Sequence, residues 1–176
     1  MRPPWFERRD YDTRIDRFRA RESISILGWA SAAGMKRAQF NKYRSGSEPR
    51  TDVAARLVRA ASRILDRPVR ASELFDVGEE VPVAERDLTA PSFLRNDLMR
   101  KDYPSRIDAL IRLLGIPPNA FAQKIGMSRR QLTRLRRNES SALLGTVRHM
   151  VETLRSKGYD VTASDIADVG EDEAPG

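Results

Sequence analysis

Cysteine is absent from the 176-residue chain, and histidine occurs once, as His149. Disulfide bonds and zinc fingers are therefore excluded, since both depend on cysteine or on clustered ligands. His149 has no second histidine and no carboxylate at ligand spacing, so we expect no metal. No stretch approaches the roughly 18 consecutive apolar residues of a membrane-spanning helix, and no signal-peptide pattern opens the chain. We therefore expect a protein of the reducing cytoplasm, with no membrane partner.

Catalytic signatures are missing as well. The sequence contains no paired nucleophile and base, no metal-binding cluster and no glycine-rich phosphate loop, because Gly46 and Gly78 stand where helices are expected to end. We expect neither an enzyme nor a cofactor. What is present is positive charge: 32 lysines and arginines against 25 acidic residues give a net charge of +7. This excess indicates an acidic partner, with nucleic acid as the first candidate.

The stretch Gly115–Asn138 predicts two short helices joined by a tight turn. Gly126 ends the first helix, because glycine adopts the left-handed turn conformation without steric cost. Ser128 is a good N-cap for the second helix, whose buried side is Leu132 and Leu135. The apolar face of the first helix is formed by Ile116, Phe121, Ala122 and Ile125. The outward side of the second helix is formed by Arg129, Arg130, Thr133, Arg134 and Arg137, and such a cationic face favours contact with a polyanion.

This stretch resembles the helix-turn-helix of the Cro/cI-type, lambda-repressor-like regulators, also called the XRE family. The residues that match the family's turn and the end of its recognition helix are Ala122, Gly126, Met127, Ser128 and Asn138. The chain departs from the family at Pro118, where a phosphate-binding glutamine often begins the first motif helix, and that contact is lost. The resemblance implies a DNA-binding transcription regulator of prokaryotic or phage type, associated with the nucleoid in the cytoplasm.

A second copy of the pattern lies 92 positions earlier in the chain. The matching pairs are RRDYDTRID (8–16) with RKDYPSRID (100–108), GMKRAQF (34–40) with GMSRRQL (126–132), and RASELFDVGE (70–79) with TASDIADVGE (162–171). Matches at both ends and in the middle indicate a tandem duplication. We therefore predict an all-α fold of two tandem five-helix lambda-repressor-like helix-turn-helix domains joined by a Pro/acidic linker.

The repeat sets the expected domain boundaries. They are a basic N-terminal arm at 1–10, a first domain at 11–78, a linker at 79–104 with a short helix at Ser92–Lys101, a second domain at 105–170, and an acidic disordered tail at 171–176. Within the first domain, Trp29 lies on the buried face of an amphipathic helix, so we expect it in the core rather than in a ligand-stacking role. Ser72 is expected to cap the short fifth helix.

The apolar stripe on the fourth helix of the first copy matches apolar residues of the second copy when the sequence is shifted by 89 positions rather than 92. Under that shift the apolar stripe of the first copy falls on Leu143, Val147, Met150 and Leu154. The pattern therefore predicts a shorter loop after the second recognition helix. It also predicts a longer loop, containing RSKGYD, before Val161.

The first copy places its recognition helix at Arg37–Ser45, with Lys36 where the family usually has a serine or threonine cap. Carried over residue by residue, the family's base-contacting positions imply that bases are read by Arg37, Asn41, Lys42, Arg129, Arg130, Thr133 and Arg134, with Ala38 among the same positions. The candidates for phosphate contact are Lys36, Arg44, Ser128, Arg136 and Arg137. Because the two sets differ, we expect two unlike half-sites on double-stranded DNA.

Two other readings of the pattern stay open. Helix-turn-helix domains can also act as protein-interaction modules, such as an antitoxin-like protein or a co-regulator, and nothing in the sequence excludes a homodimer or a protein co-regulator as partner. RNA binding is a smaller rival, since no stacking sheet or RNA-binding motif is visible.

Overall fold

The computed structural model describes residues 11–85 and 103–171, which we call the first half and the second half. Within these ranges the fold is all-α, with ten helices and no β-structure beyond one isolated bridge pair. The predicted all-α class is confirmed. The N-terminal arm, the helix predicted at Ser92–Lys101 and residues 172–176 of the tail lie outside the described residues.

Five helices belong to each half. In chain order they are α1 Arg14–Arg21, α2 Ile26–Ala32, α3 Arg37–Arg44, α4 Thr51–Leu65, α5 Ala71–Leu74, α6 Arg106–Leu114, α7 Pro118–Lys124, α8 Arg129–Arg136, α9 Leu144–Arg155 and α10 Ala163–Ile166. Among these ten, no helix combines the length and the apolar character needed to cross a membrane.

Polar residues start several helices where the sequence places them. The side chains of Ser25, Ser105 and Ser128 each accept a hydrogen bond from a backbone N–H in the first turn of α2, α6 and α8. Lys36 makes no such bond at the start of α3, as expected from its side chain. The first turn of α3 therefore keeps an N–H group that another acceptor can bind.

The short fifth helix of each half starts earlier than predicted. Ser72 is not a cap: α5 already begins before it, because Glu73 accepts a hydrogen bond from the backbone N–H of Arg70 at 2.9 Å. Asp165 accepts the equivalent bond from Thr162 at 2.8 Å at the start of α10. A carboxylate three residues after the cap thus fixes both helix starts.

The buried side chains of the two halves form one continuous hydrophobic cluster. In the first half Trp29 is fully buried, and its ring centre lies 5.7 Å from that of Phe18 and 5.2 Å from that of Phe40. Its indole Nε1 donates a hydrogen bond to the carbonyl oxygen of Leu57 at 3.0 Å. The only polar atom of the side chain is therefore satisfied inside the core. The core position predicted for Trp29 is confirmed.

The loop after α8 corrects the predicted shift of 89. Residues 137–143 connect α8 to α9, whereas residues 45–50 connect α3 to α4, so the second loop is longer by one residue rather than shorter. The buried positions of α9 instead match those of α4 at a shift of 93. Shifts of 89 and 93 differ by about one helical turn and place the same apolar stripe inward. Leu143, expected in that stripe, is the N-cap and is 46% exposed. The longer loop predicted before Val161 is present.

Candidate nucleic-acid interface

The predicted base-reading residues of the first half lie along α3. Arg37 and Lys42 are exposed, and Lys36 is exposed just before the helix. Asn41 is half-buried, and its Oδ1 accepts a hydrogen bond from Nη1 of Arg44 at 2.9 Å. Its NH₂ group is therefore the part of the side chain left to donate to a base.

The equivalent face of α8 is more strongly cationic. Arg129, Arg130 and Arg134 are exposed, while Leu132 on the opposite side is buried. Thr133 is also exposed, but its Oγ1 donates to the carbonyl oxygen of Arg129 at 2.8 Å. Its hydroxyl proton is thus used within the helix. The three arginines are the groups that project freely from this face.

These exposed cations lack a carboxylate partner within residues 11–85 and 103–171. Among the described residues, no ion pair is formed by Lys36, Arg37, Lys42, Arg129, Arg130 or Arg134. Several arginines of α1, α4 and the α4–α5 loop, by contrast, each bind a carboxylate. An unpaired cation keeps its positive potential for an external anion. Both helices therefore present the electrostatics that an anionic partner needs.

Arg44 does not point outward as a phosphate contact, contrary to what the sequence predicts. It is only 3% exposed, and its Nε donates to Oδ1 of the buried Asp16 at 2.7 Å. Its carbonyl oxygen accepts a hydrogen bond from Oγ1 of Thr13 at 2.7 Å. A buried carboxylate needs a paired cation to offset its desolvation, so Arg44 turns inward. These contacts fix the end of α3 to the start of α1.

Arg136 repeats this arrangement 92 residues later, with more exposure. Its Nη2 lies 2.7 Å from Oδ1 of Asp108, and its carbonyl oxygen accepts a hydrogen bond from Oγ of Ser105 at 2.8 Å. Its side chain keeps 25% of its surface exposed, so a second contact to phosphate remains sterically open. The side chain of the neighbouring Arg137 is 69% exposed, and its Nη1 lies 3.8 Å from Oε1 of Glu139, which is a long distance for an ion pair. Arg137 is thus the freer of the two phosphate candidates.

Ser128 is occupied by the start of its own helix. Its Oγ accepts a hydrogen bond from the backbone N–H of Gln131 at 3.2 Å and donates one to Oε1 of the Gln131 side chain at 3.0 Å. The backbone N–H of Ser128 donates to that Oε1 at 3.2 Å. A phosphate would have to displace the glutamine to reach these groups.

We predict that Asp16→Asn destabilises the fold by about 3–5 kcal/mol at neutral pH, because it leaves Arg44 buried without its counter-charge. Burial alone raises the pKa of Asp16, but hydrogen bonds from Arg44 and Arg19 outweigh it and hold the pKa below its usual 3.8. A lowered pKa in the folded state stabilises the protein above the unfolded-state pKa, and this contribution disappears as the pH falls through the folded-state pKa. Urea unfolding of both proteins at pH 7 and below pH 3.8 measures the effect.

The gap in unfolding free energy between wild type and Asp16→Asn should therefore shrink at acid pH. The matched control is Asp12→Asn, since Asp12 is 91% exposed and pairs with Arg17 on the surface. We expect the control to change the free energy by about 0.5 kcal/mol or less. Equal losses in both variants would contradict a buried anchor at Asp16.

The two halves meet where the loops after α3 and α8 run antiparallel. Arg50 and Leu143 form an isolated bridge pair. The backbone N–H of Thr51 donates to the carbonyl oxygen of Ala142 at 2.9 Å, and the N–H of Leu144 donates to the carbonyl oxygen of Pro49, also at 2.9 Å. Each half thus donates one backbone hydrogen bond to the other.

Two glutamates repeat this exchange at the opposite ends of the halves. Oε1 of Glu79 accepts a hydrogen bond from the backbone N–H of Ala163 at 3.1 Å, and Oε1 of Glu171 accepts one from Ala71 at 2.7 Å. Each carboxylate therefore binds the first residue of the other half's fifth helix. Burial raises the pKa of Glu171, and the negative charge of Glu79 adds to the effect. Both residues, placed in the linker and the tail by sequence, belong to the junction.

A glycine beside each glutamate lets the halves approach closely. A Cβ on Gly78 would lie 2.7 Å from the carbonyl oxygen of Arg148, and a Cβ on Gly170 would lie 2.5 Å from that of Ala55. When residue i of one unit contacts j of the other and j contacts i, the units are related by a twofold rotation. The reciprocal contacts therefore relate the two halves by an approximate twofold axis near Arg50.

Two exposed residues near these helices were not predicted from the sequence. Gln39 lies on the first two turns of α3, where a glutamine side chain can pair with adenine. Gln39 comes three residues after Lys36, the residue that precedes α3, and this spacing was the signal that could have indicated it. Arg50 lies at the junction, and its Nη1 donates to the carbonyl oxygen of Ser141 at 3.0 Å. No pattern within one copy indicates Arg50, since its placement depends on contact between the halves.

The described residues contain no group of three or more His, Asp or Glu side chains placed to hold a metal ion. Comparison of the chain with protein-family models, curated proteins and solved structures finds no match.

Proposed function

We propose that this protein is a sequence-specific double-stranded DNA-binding transcription regulator that reads two non-identical half-sites with α3 and α8. The observation that carries the proposal is the pair of exposed cationic faces, which lack counter-charges among the described residues and lie on equivalent helices. A cytoplasmic, nucleoid-associated location accompanies this function.

In the proposed mechanism the N-terminal part of each helix enters the major groove while the preceding helix contacts the backbone. Arg129 and Arg130 would pair with guanines in one half-site, and Arg37 and Asn41 would pair with guanine and adenine in the other. Phosphate contacts from Lys36 and similar residues would position the protein without selecting sequence.

The twofold relation between the halves supports an inverted arrangement of the half-sites. A rotation that exchanges the halves also reverses the direction in which the second helix meets the duplex. Because α3 and α8 carry different side chains, the two half-sites would be inverted in direction but unlike in sequence. With both helices in one chain, the second contact is intramolecular and gains from a high effective concentration.

The test is selection of bound duplexes from a random-sequence library with the full-length protein at two salt concentrations. We expect two dissimilar motifs, inverted and at a fixed spacing of about one helical turn. The logarithm of affinity should fall with the logarithm of salt concentration, with a slope of roughly −0.9 per contacted phosphate.

Recovery of a single short motif would overturn the two-site proposal and leave the other half as a partner surface. Absence of enrichment at either salt concentration would favour the alternative, a helix-turn-helix module that binds protein.

A further inference from the structure

A cavity of about 550 Å³ lies where the two halves meet, and we call it the junction cavity. The start of α4, with Thr51 and Asp52, forms the part contributed by the first half. The second half contributes Leu135 from the end of α8 and Ala167 from just after α10. A pocket of this size falls within the range of about 300–1,000 Å³ that holds small organic ligands.

The twofold-related position in the first half has a cavity of only about 250 Å³. There Tyr43 and Phe75 stand at the positions that Leu135 and Ala167 occupy in the second half, 92 residues later. The smaller cavity is therefore lined by two aromatic rings that the larger one lacks. Since the same fold packs with those rings in its other half, the open space is not required by the architecture.

The lining of the junction cavity combines an apolar wall with an excess of carboxylates. Leu135 and Ala142 are half-buried and form the accessible part of this wall. Val147 and Met150 of α9 line the cavity as well but are buried. Three acidic side chains line the space, against one basic side chain, Arg106. The guanidinium of Arg106 is held by the carbonyl oxygens of Ser164 at 2.6 Å and Ala167 at 3.4 Å. Its Nη1 is thus directed at the backbone.

The acidic residues differ in their availability to a ligand. Asp168 is bound to Arg59, with 2.7 Å between its Oδ2 and Nη2. Glu139 lies 3.8 Å from Arg137. Asp52 is exposed and makes no ion pair among the described residues. Asp52 is therefore the carboxylate that a bound positive charge would meet.

We propose that the junction cavity is a binding site for an amphipathic organic cation, namely an amine carried on an aromatic or branched apolar body. The apolar body packs against Leu135 and Ala142, in the space that the sister half fills with Phe75. The ammonium group lies toward Asp52. The contacts come from both halves, so the ligand fits the assembled junction rather than either half alone.

The experiment uses three probes with the same apolar body: 4-phenylbutylamine, 4-phenylbutanol and 4-phenylbutyrate. Binding to the full-length protein, without DNA, is followed by NMR of ¹³C-methyl methionine. The chain has five methionines; Met150 lines the cavity, whereas Met35 is buried in the first half and serves as the internal reference. We expect the amine to shift the Met150 signal and to bind roughly fivefold more tightly than the alcohol, the size of an exposed ion pair. The carboxylate should bind least.

Two variants separate the shape of the site from its charge. Ala167→Phe restores the ring that the sister half carries, so it should fill the cavity and abolish the shift of Met150 by all three probes. Asp52→Asn should bring the amine to the affinity of the alcohol. Asp66→Asn is the matched control, since Asp66 is exposed at the opposite end of the same helix and its change alters the net charge equally.

Equal binding of amine and carboxylate would overturn the proposal, as would an unchanged Met150 shift in a folded Ala167→Phe variant. Should Ala167→Phe fail to fold, the comparison of Asp52→Asn with Asp66→Asn decides alone: equal loss of amine affinity in both contradicts the site. No step requires DNA, so these outcomes are independent of the proposed DNA-binding function.

Discussion

Replacing Arg130 with alanine should relax base preference at one half-site and leave the other unchanged, while Arg37→Ala should do the reverse. Each arginine that pairs with guanine contributes roughly 1–3 kcal/mol of discrimination, or about 5- to 150-fold between the right and the wrong base. The effect should be confined to one half-site because α3 and α8 belong to different halves of the junction. Binding of variant proteins to the selected duplex and to single-base variants of it measures the change.

A matched control is available in Arg56→Ala, which removes the same charge from an exposed position on α4. We expect this control to weaken binding to all duplexes alike, if it weakens it at all, because only phosphate contacts and general attraction are lost. If Arg37→Ala and Arg130→Ala behave like the control, the side chains hold phosphates and the assignment of base contacts is wrong.

The helices were predictable because their determinants are local in the chain. Apolar spacing, N-cap serines and the glycines that follow α2 and α7 act within a few residues. Gly34 and Gly126 have φ of +64° and +63°, as the turn requires. The candidate interface shares this local character, since exposed positions on a short amphipathic helix follow from its period.

Arg44 shows where local reasoning fails. Its position in the helix and its charge both suggest exposure, and only the buried carboxylate of Asp16, 28 residues earlier, turns it inward. A single sequence does not reveal which acidic residue becomes buried. The error at Leu143 has a different cause, since periodicity alone does not distinguish shifts that differ by one turn.

The junction between the halves was also beyond the sequence analysis, although one feature pointed to it. The residues DVGE occur in both copies, at 76–79 and at 168–171. Their identity suggests a shared role, but the pattern does not say that each copy acts on the other half. That follows only from the backbone groups that Glu79 and Glu171 reach.

Gly170→Ala should lower the free energy of unfolding by more than the same change at a left-handed glycine whose added Cβ would meet only open space. Gly170 has φ of +89°, and an added Cβ would lie 2.5 Å from the carbonyl oxygen of Ala55 and 2.9 Å from its Cα. Both contacts are with backbone of α4, which moves only if the halves separate. We expect a cost of about 1–3 kcal/mol from this overpacking, in addition to about 1–2 kcal/mol for the left-handed conformation. Urea unfolding measures the sum.

Gly126→Ala isolates the conformational part of that cost, because Gly126 has φ of +63° and a Cβ there would meet no atom within 4 Å. The difference between the two variants is therefore the contribution of the junction. Gly78→Ala should resemble Gly170→Ala, since its Cβ would lie 2.7 Å from the carbonyl oxygen of Arg148. If the proposed DNA-binding function holds, the two junction variants should also accept a wider range of half-site spacings, whereas Gly126→Ala should not. Equal destabilisation by all three variants would mean that the close approach of the halves contributes nothing to stability, and the fixed spacing would then need another origin.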